Sequence, residues 1–312
     1  MQASNGDAKS KRPGLTAFKQ QQLRAWQPIL TPFPVILTFL IIGVVFIPIG
    51  VVLLHASQGV VEVTQRYDDL CANTNSSCLV NVIVNSKMSQ PVYMYYRLDN
   101  FYQNHRRYVK SRADTALQGD LITNADSLSA CDPFVNNGTS GLASSYFPCG
   151  LIAASFFNDT FSMRDTNGTL VPWTKQGIAW RSDVEKKFGN IPADQVGLRL
   201  FPNMNQTDED FIVWMRTAGL PNFKKLHRII NTDINPGTYQ FNVTDNFPVS
   251  RFNGKKYIVL STTSWMGGKN PFLGWAFIAV GAVCIVQGVA FAIKHKLSPR
   301  KLGDTKYLDW NK

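Results

Sequence analysis

Residues Val35–Leu54 read VILTFLIIGVVFIPIGVVLL, a stretch of twenty residues without a formal charge. An α-helix rises about 1.5 Å per residue, so this stretch spans about 30 Å, the thickness of the hydrocarbon core of a bilayer. A buried helix of a soluble domain rarely stays apolar on every side over such a length. The stretch is also longer than the apolar part of a cleaved signal peptide, and 34 residues precede it. It therefore predicts an uncleaved transmembrane helix.

A second charge-free run, FLGWAFIAVGAVCIVQGVAFAI, occupies residues 272–293. Its length and composition predict a second transmembrane helix. The two runs divide the chain into five predicted segments, which are a tail at 1–34, helices at 35–54 and 272–293, a large domain at 55–271, and a tail at 294–312.

The net charge of +11 is concentrated in the two tails. The first tail has five basic residues and one acidic residue, and the last has six basic and two acidic residues, so each carries +4. Basic residues next to membrane helices favour the cytosolic side, so both termini are predicted to be cytosolic and the domain exoplasmic or luminal. The basic composition therefore reflects membrane topology and does not indicate a nucleic-acid partner.

Glycosylation signals and cysteines agree with this topology. Every N-x-S/T sequon lies within the large domain, at Asn75, Asn137, Asn158, Asn167, Asn205 and Asn242. Four cysteines also lie there, at Cys71, Cys78, Cys131 and Cys149. Four cysteines allow three pairings, and the short sequence separations favour Cys71 with Cys78 and Cys131 with Cys149. An oxidising compartment favours disulfides over free thiols.

The large domain is predicted to be β-rich, with an antiparallel, sandwich-like core and a few short helices. β-Branched and aromatic residues recur with a period of two in residues 79–85, 92–98, 238–244 and 256–265. Helices are predicted after two capping signals, Ser182 with Glu185 and Thr207 with Asp210. In the first tail, a short helix from Thr16 to Trp26 is predicted to lie on the membrane surface; a disordered leader is the alternative.

No catalytic, metal or cofactor site is predicted. The four histidines are scattered along the chain without the spacing of a metal site, and no nucleophile elbow is present. Gly267-Gly268-Lys269 lacks the upstream glycine and the following Ser or Thr of a phosphate-binding loop. The candidate contacts to a partner or to lipid are instead aromatic and basic side chains, namely Phe18, Trp26, Arg106, Arg107, Lys110 and Arg112. For the four basic residues, a solvated helix face is the alternative.

Glycines recur every seven residues in both predicted spans. They are Gly43 and Gly50 in the first span, and Gly274, Gly281 and Gly288 in the second. Seven residues are nearly two helical turns, so each set lies on one helix face, where small residues allow another helix to approach closely. The neighbouring helix is expected to be either a partner subunit or the other span of the same chain. Gln287 is a candidate for an interhelical hydrogen bond.

Longer motifs give the sequence a family resemblance. The relevant segments are AFKQQQLRAWQPILTP, FIPIG, FYQNHRRYVKSR, PCGLIAASFFNDTF, GIAWRSDVEKKF, FIVWMRTAGLPNFKKL, LSTTSWMGGKNPFLG and LGDTKYLDWN. In order from Thr16 to Asn311, they resemble the ligand-effect-modulator family, and especially the plant ALA-interacting subunits. Members of this family are non-catalytic β-subunits of P4-type ATPases, the phospholipid flippases.

The resemblance implies a heterodimer with a P4-type ATPase α-subunit, in contact with membrane lipids and without a cofactor. The chain is then expected to support exit of the α-subunit from the endoplasmic reticulum and to be needed for flippase activity, in Golgi, post-Golgi or plasma membranes. The resemblance also implies two sequential disulfides and a glycan at Asn158. A two-span ligand-gated channel is the alternative, but such channels usually have more exoplasmic cysteines and a polar pore constriction.

Overall fold

The computed structural model describes residues 14–25, 31–71, 77–201 and 205–299. The chain divides into two compact units. The first, the helix-pair unit, comprises Met1–Val51 and Gly274–Lys312, and the second, the sheet unit, comprises Val52–Leu273. The predictions for Trp26 and Asn75 lie outside the described residues.

The α-helices of the described residues differ greatly in length. In chain order they are α1 (Pro32–Gln58), α2 (Asp68–Cys71), α3 (Arg106–Lys110), α4 (Asp114–Gln118), α5 (Leu151–Ala154), α6 (Arg181–Lys186), α7 (Glu209–Met215) and α8 (Phe272–Leu297). Among the described helices, α1 and α8 are long and apolar enough to cross a membrane. Both contain the predicted spans and extend beyond them by three to four residues at one or both ends.

The strands of the sheet unit form two antiparallel sheets and a short parallel pair. In chain order they are β1 (Glu62–Arg66), β2 (Cys78–Val84), β3 (Val92–Asp99), β4 (Tyr146–Phe147), β5 (Thr160–Arg164), β6 (Leu198–Arg199), β7 (Phe223–Ile230), β8 (Gly237–Thr244) and β9 (Lys255–Ser261). One sheet has the order β1-β9-β3-β7 and the other β2-β8-β5, while β4 pairs with β6. The order within the larger sheet brings together strands that are far apart in sequence.

The main hydrophobic core contains inward residues from both larger sheets. Val80 and Val82 of β2 and Phe241 of β8 are fully buried, and they belong to one cluster with Met94 of β3 and Leu260 of β9. Alternate residues of β2 are exposed, as expected for a strand with one wet face. The predicted fold class is confirmed: the chain has two membrane helices, and a β-rich antiparallel domain lies between them in sequence.

A second core is dominated by aromatic rings. Phe157 stacks on Tyr96 with ring centroids 3.9 Å apart, and Trp214 of α7 is fully buried beside it. The indole nitrogen of Trp214 donates to the carbonyl oxygen of Ile152 at 2.8 Å, so its one polar group is satisfied. A third cluster surrounds the disulfide between Cys131 and Cys149.

Three local predictions differ from the structure. Residues 14–25 contain a hydrogen-bonded turn at Ala17–Gln21 instead of the predicted helix, because so short a segment without tertiary packing does not sustain a helix. The N-cap of α6 is Trp180, without a side-chain cap, and Ser182 lies inside the helix. For α7 the N-cap is Asp208, whose side chain accepts from the backbone of Asp210, one residue beyond the predicted cap.

Candidate functional site

The predicted glycine stripes lie where α1 and α8 meet within the helix-pair unit. A Cβ atom built on Gly50 would lie 2.8 Å from the carbonyl oxygen of Gly274 and 2.9 Å from the backbone nitrogen of Ile278. One built on Gly281 would lie 2.8 Å from Cγ1 of Ile47. Distances this short leave no room for any side chain. The two helices therefore touch backbone to backbone along this line, which we call the glycine seam.

The glycine seam extends along both helices. Gly43 faces Ile285 and the carbonyl oxygen of Gly281, and Gly288 faces Leu40. Aromatic pairs lie beside it, with ring centroids 5.8 Å apart for Phe39 and Phe291 and 5.1 Å apart for Phe46 and Phe277. Of the two neighbours expected for these glycines, the structure places the chain's own first span there. A partner subunit would then contact the outer faces of the helices.

One polar side chain lies on an outer face of α8. Gln287 is exposed, and its amide has no hydrogen-bond partner among the described residues. It lies about 15 residues, or roughly 22 Å, from the start of α8, and so within the hydrocarbon core. Leu273, Val280 and Gln287 follow one another at intervals of seven residues. Leu273 and Val280 are therefore on the same side of α8 as Gln287, and both are exposed. An unpaired amide in hydrocarbon is costly, so this stripe is suited to a partner helix that offers a hydrogen bond.

The basic segment is at the surface of the sheet unit, around the short helix α3. Arg106, Arg107 and Lys110 are exposed, and Arg112 is half-buried. Arg107 lies 3.5 Å from the carboxylate of Asp132, and Arg112 lies 2.9 Å from that of Asp114. Exposed pairs of this kind contribute little to stability, so the segment remains available for contact with a partner or lipid. Phe18, in the N-terminal turn, is also exposed.

The sequons of the described residues are at or near the surface. Asn137, Asn167, Asn205 and Asn242 are exposed, whereas Asn158 is half-buried. The hydroxyl group of Thr139 donates to the side-chain oxygen of Asn137 at 2.7 Å within its sequon. Asn242 is on the wet face of β8, between the inward residues Phe241 and Val243. The structure therefore leaves space for glycans at these four asparagines.

The disulfides join Cys71 to Cys78 and Cys131 to Cys149. The first connects the end of α2 to the start of β2, and it closes a loop with a sequence separation of 7. The second has a separation of 18 and encloses the sequon at Asn137. Cys284 of α8 is a free cysteine. The two bonds thus restrain the connection between α2 and β2 and the loop around Asn137.

A buried ion cluster that the sequence analysis missed connects β9 to the residue just before β5 and to the loop after β8. The ammonium group of Lys256 lies 2.7 Å from Asp159 and also binds Asp245, and the side chains of Lys256 and Asp159 are fully buried. The hydroxyl group of Tyr67 donates to one oxygen of Asp159 at 2.7 Å, and the backbone nitrogen of Phe247 donates to the other oxygen of Asp159 at 2.7 Å. Burial raises the pKa of Asp159, although Lys256 opposes this shift.

A buried lysine fixes the end of helix α7 against β7. The ammonium group of Lys225 donates to the carbonyl oxygens of Val213, Trp214 and Arg216 at the end of the helix. Burial, with a smaller contribution from Arg216, lowers the pKa of Lys225 to about 7. This lysine satisfies carbonyls that the helix end leaves without partners. Its role is therefore structural.

The start of α7 is held by an acidic residue. Asp210 lies 2.6 Å from Arg228 and 3.2 Å from His227 of β7. Burial alone would raise the pKa of Asp210, but the hydrogen bonds and positive charge of His227 and Arg228 outweigh burial and lower it to about 2. These contacts explain the shifted pKa values without a catalytic role. Among the described residues, no group of three His, Cys, Asp or Glu side chains is arranged to hold a metal ion.

Known proteins resemble this chain over almost its full length. ALA-interacting subunit 3 of Arabidopsis thaliana is 46% identical over 99% of this chain and 95% of its own length. Cell cycle control protein 50A of Bos taurus is 41% identical, covering 93% and 91% of the two chains. Human cell cycle control protein 50B is 36% identical, covering 90% and 93%. The profile of the LEM3 (ligand-effect modulator 3) family / CDC50 family matches residues 52–301. The chain is a membrane protein that belongs to the LEM3/CDC50 family.

Proposed function

We propose that the chain is the non-catalytic β-subunit of a phospholipid-translocating P4-type ATPase. Full-length similarity to an ALA-interacting subunit is the observation that carries this proposal. The outer stripe of α8 with its unpaired Gln287 supports it, since such a stripe suits a helix of a larger membrane protein. The two units have separate tasks. The helix pair docks in the membrane, and the sheet unit contacts exoplasmic loops of the α-subunit.

The topology and the cellular role form part of the same proposal. Both termini are cytosolic, and the sheet unit is exoplasmic, glycosylated and disulfide-bonded. The subunit supports folding of the α-subunit and its exit from the endoplasmic reticulum, and the complex then works in Golgi, post-Golgi or plasma membranes. The basic tails and the confinement of every sequon to the predicted exoplasmic domain support this arrangement.

Purification in mild detergent followed by mass spectrometry tests the proposal. We expect a large P-type ATPase to co-purify with the tagged chain, and depletion of the chain to reduce phospholipid translocation in the same membranes. Recovery of self-assembled trimers alone, with an ion conductance, would instead support the two-span channel. Recovery of the chain without any ATPase would also contradict the proposal.

Gln287→Leu is expected to weaken this association. An interhelical hydrogen bond in a membrane contributes about 0.6 kcal/mol on average and up to about 1.7 kcal/mol, which corresponds to roughly three-fold to eighteen-fold weaker binding. Co-purification at several detergent concentrations measures the change. Val286→Leu is the matched control because Val286 is also exposed but offers no hydrogen bond. Equal retention of the ATPase by both variants would assign Gln287 no role in docking.

Alanine at Arg106 and Arg107 tests the basic segment separately. We expect the double variant to retain less ATPase while its own glycan maturation stays unchanged, because both side chains are exposed and anchor nothing in the core. The matched control is Arg181→Ala, another exposed arginine at the start of a short helix. Unchanged co-purification and flippase activity would show that the segment is a solvated face.

A further inference from the structure

The segment between β9 and α8 presents a tryptophan on a short rigid turn. Ser264 and Gly267 exchange backbone hydrogen bonds of 2.8 and 2.9 Å, and the hydroxyl group of Ser264 accepts from the backbone nitrogen of Met266. Gly267 has a φ of +104°, which favours glycine at this position. Trp265, at the tip, is 76% exposed. The fold therefore holds the backbone of this turn firmly while leaving its largest side chain uncovered.

Hydrogen bonds fix both ends of this segment beside the last residues of α1. At one end, the backbone nitrogen of Thr262 donates to the carbonyl oxygen of Val61 at 2.9 Å, and the hydroxyl group of Thr262 accepts from the nitrogen of Val61 at 3.0 Å. At the other end, the backbone nitrogen of Asn270 donates to the buried hydroxyl group of Ser57 at 3.0 Å. Residues 263–269 are thus tied at both ends to the short stretch of chain from Ser57 to Val61.

The position of Ser57 along α1 gives the depth of this stretch in the membrane. The predicted transmembrane stretch ends at Leu54, where the polar residue His55 follows, and Ser57 lies about 5 Å further along the helix axis. The polar headgroup region adds roughly 5–8 Å on each side of the hydrocarbon core, so Ser57 lies within it. Because residues 263–269 are held by hydrogen bonds at both ends, the tip of this segment lies no more than about 14 Å from those ends. Trp265 is therefore held within reach of the membrane surface.

We infer that Trp265 is a membrane-interface anchor that inserts its indole ring among phospholipid headgroups and upper acyl chains. Tryptophan prefers this region because its ring is apolar and its N–H group finds a hydrogen-bond acceptor. The exposed Lys269, next to the Asn270 tie, is placed to contact lipid phosphate. Phe272 and Leu273, exposed at the start of α8, continue the apolar surface into the membrane. The partner of this turn is thus the lipid surface on the sheet-unit side.

Tryptophan fluorescence of the full chain in phosphatidylcholine vesicles tests the inference. The difference between the unchanged chain and Trp265→Phe isolates the emission of Trp265. We expect this component to be quenched by lipids brominated close to the ester carbonyl groups, less by lipids brominated near the chain ends, and little by aqueous iodide. Trp180→Phe is the matched control, since Trp180 is 64% exposed on the same unit. Its component should respond to iodide and not to brominated lipid.

A Trp265 component that is quenched by iodide and unaffected by brominated lipid would overturn the inference. If that component became protected only when an ATPase was added, the turn would be a protein contact, which would also overturn it. A second measurement does not depend on the phenylalanine variant. An environment-sensitive dye on Trp265→Cys, in a Cys284→Ser chain, should shift to shorter wavelength in vesicles, whereas the same dye on Trp180→Cys should not. Equal emission at both positions would contradict the anchor.

Discussion

Replacing Lys256 with methionine is expected to destabilise the sheet unit more than any other single substitution at the sites described above. The change leaves the fully buried carboxylate of Asp159 without its cation. Removing one partner of a buried ion pair costs about 3–5 kcal/mol, because the remaining charge stays in a low-dielectric environment. For a unit of this size, that loss lowers the melting temperature by on the order of 10 °C. Thermal unfolding of the purified chain in detergent measures it.

Lys255→Met provides a closely matched control for this experiment. Lys255 is the preceding residue of the same strand, and it is exposed. The same change of side chain there should shift the melting temperature by no more than about 2 °C, since surface substitutions usually change stability by less than 0.5 kcal/mol. Equal melting temperatures for the two variants would show that the pair between Lys256 and Asp159 contributes nothing to stability.

Gly50→Leu is expected to separate the two membrane helices. The first carbon of the new side chain would already approach the backbone atoms of Gly274 and Ile278 to less than 3 Å, and backbone cannot rotate away as a side chain does. Overpacking costs about 1–3 kcal/mol, occasionally more. Within a bilayer, helices associate through close packing and gain nothing from further burial of apolar surface. The subunit should therefore become less abundant even when no ATPase is present.

Cysteine cross-linking measures this separation directly. Cysteines replacing Phe39 and Phe291, whose rings are 5.8 Å apart, should cross-link efficiently in a Cys284→Ser chain and poorly once Gly50→Leu is added. Ala282→Leu is the matched control because Ala282 is next to Gly281 but exposed. Unchanged cross-linking and abundance in the Gly50→Leu chain would show that the helices accommodate the larger side chain without separating.

β2 and β8, whose inner faces are apolar, could be predicted from the sequence, and β7, whose inner face carries charged residues, could not. The period of two is clear in β2 and β8, where the inward residues are valines and aromatics. In β7 the inward positions include Lys225 and His227, so the same period is concealed. These residues tolerate burial only because Asp210 and the carbonyl groups at the end of α7 supply partners. Such partners are a property of the fold and not of the strand itself.

The candidate contacts were predictable to different degrees. The seven-residue spacing of glycines indicated a close helix neighbour, but spacing cannot distinguish the chain's own span from another protein. Lys256 carried a signal that was available, because it alternates with Ile258 and Leu260 on one side of β9. The exposed position of Gln287 follows from which face of α8 the glycines occupy. Trp265 was wrongly predicted to be the last residue of a strand at 256–265: β9 ends at Ser261, and the position of Trp265 in the turn depends on hydrogen bonds from Thr262 and Asn270 to Val61 and Ser57.

The strand order of the larger sheet has a consequence for synthesis of the chain. β9 lies between β1 and β3, yet it is the last strand made, and Val61 meets Thr262 only after 201 further residues. A nascent chain therefore carries β1 with no neighbour until the second membrane helix is about to emerge. Pairing between such distant segments is slow, and open strand edges attract other chains. Newly made protein thus stays vulnerable to aggregation until translation is almost finished.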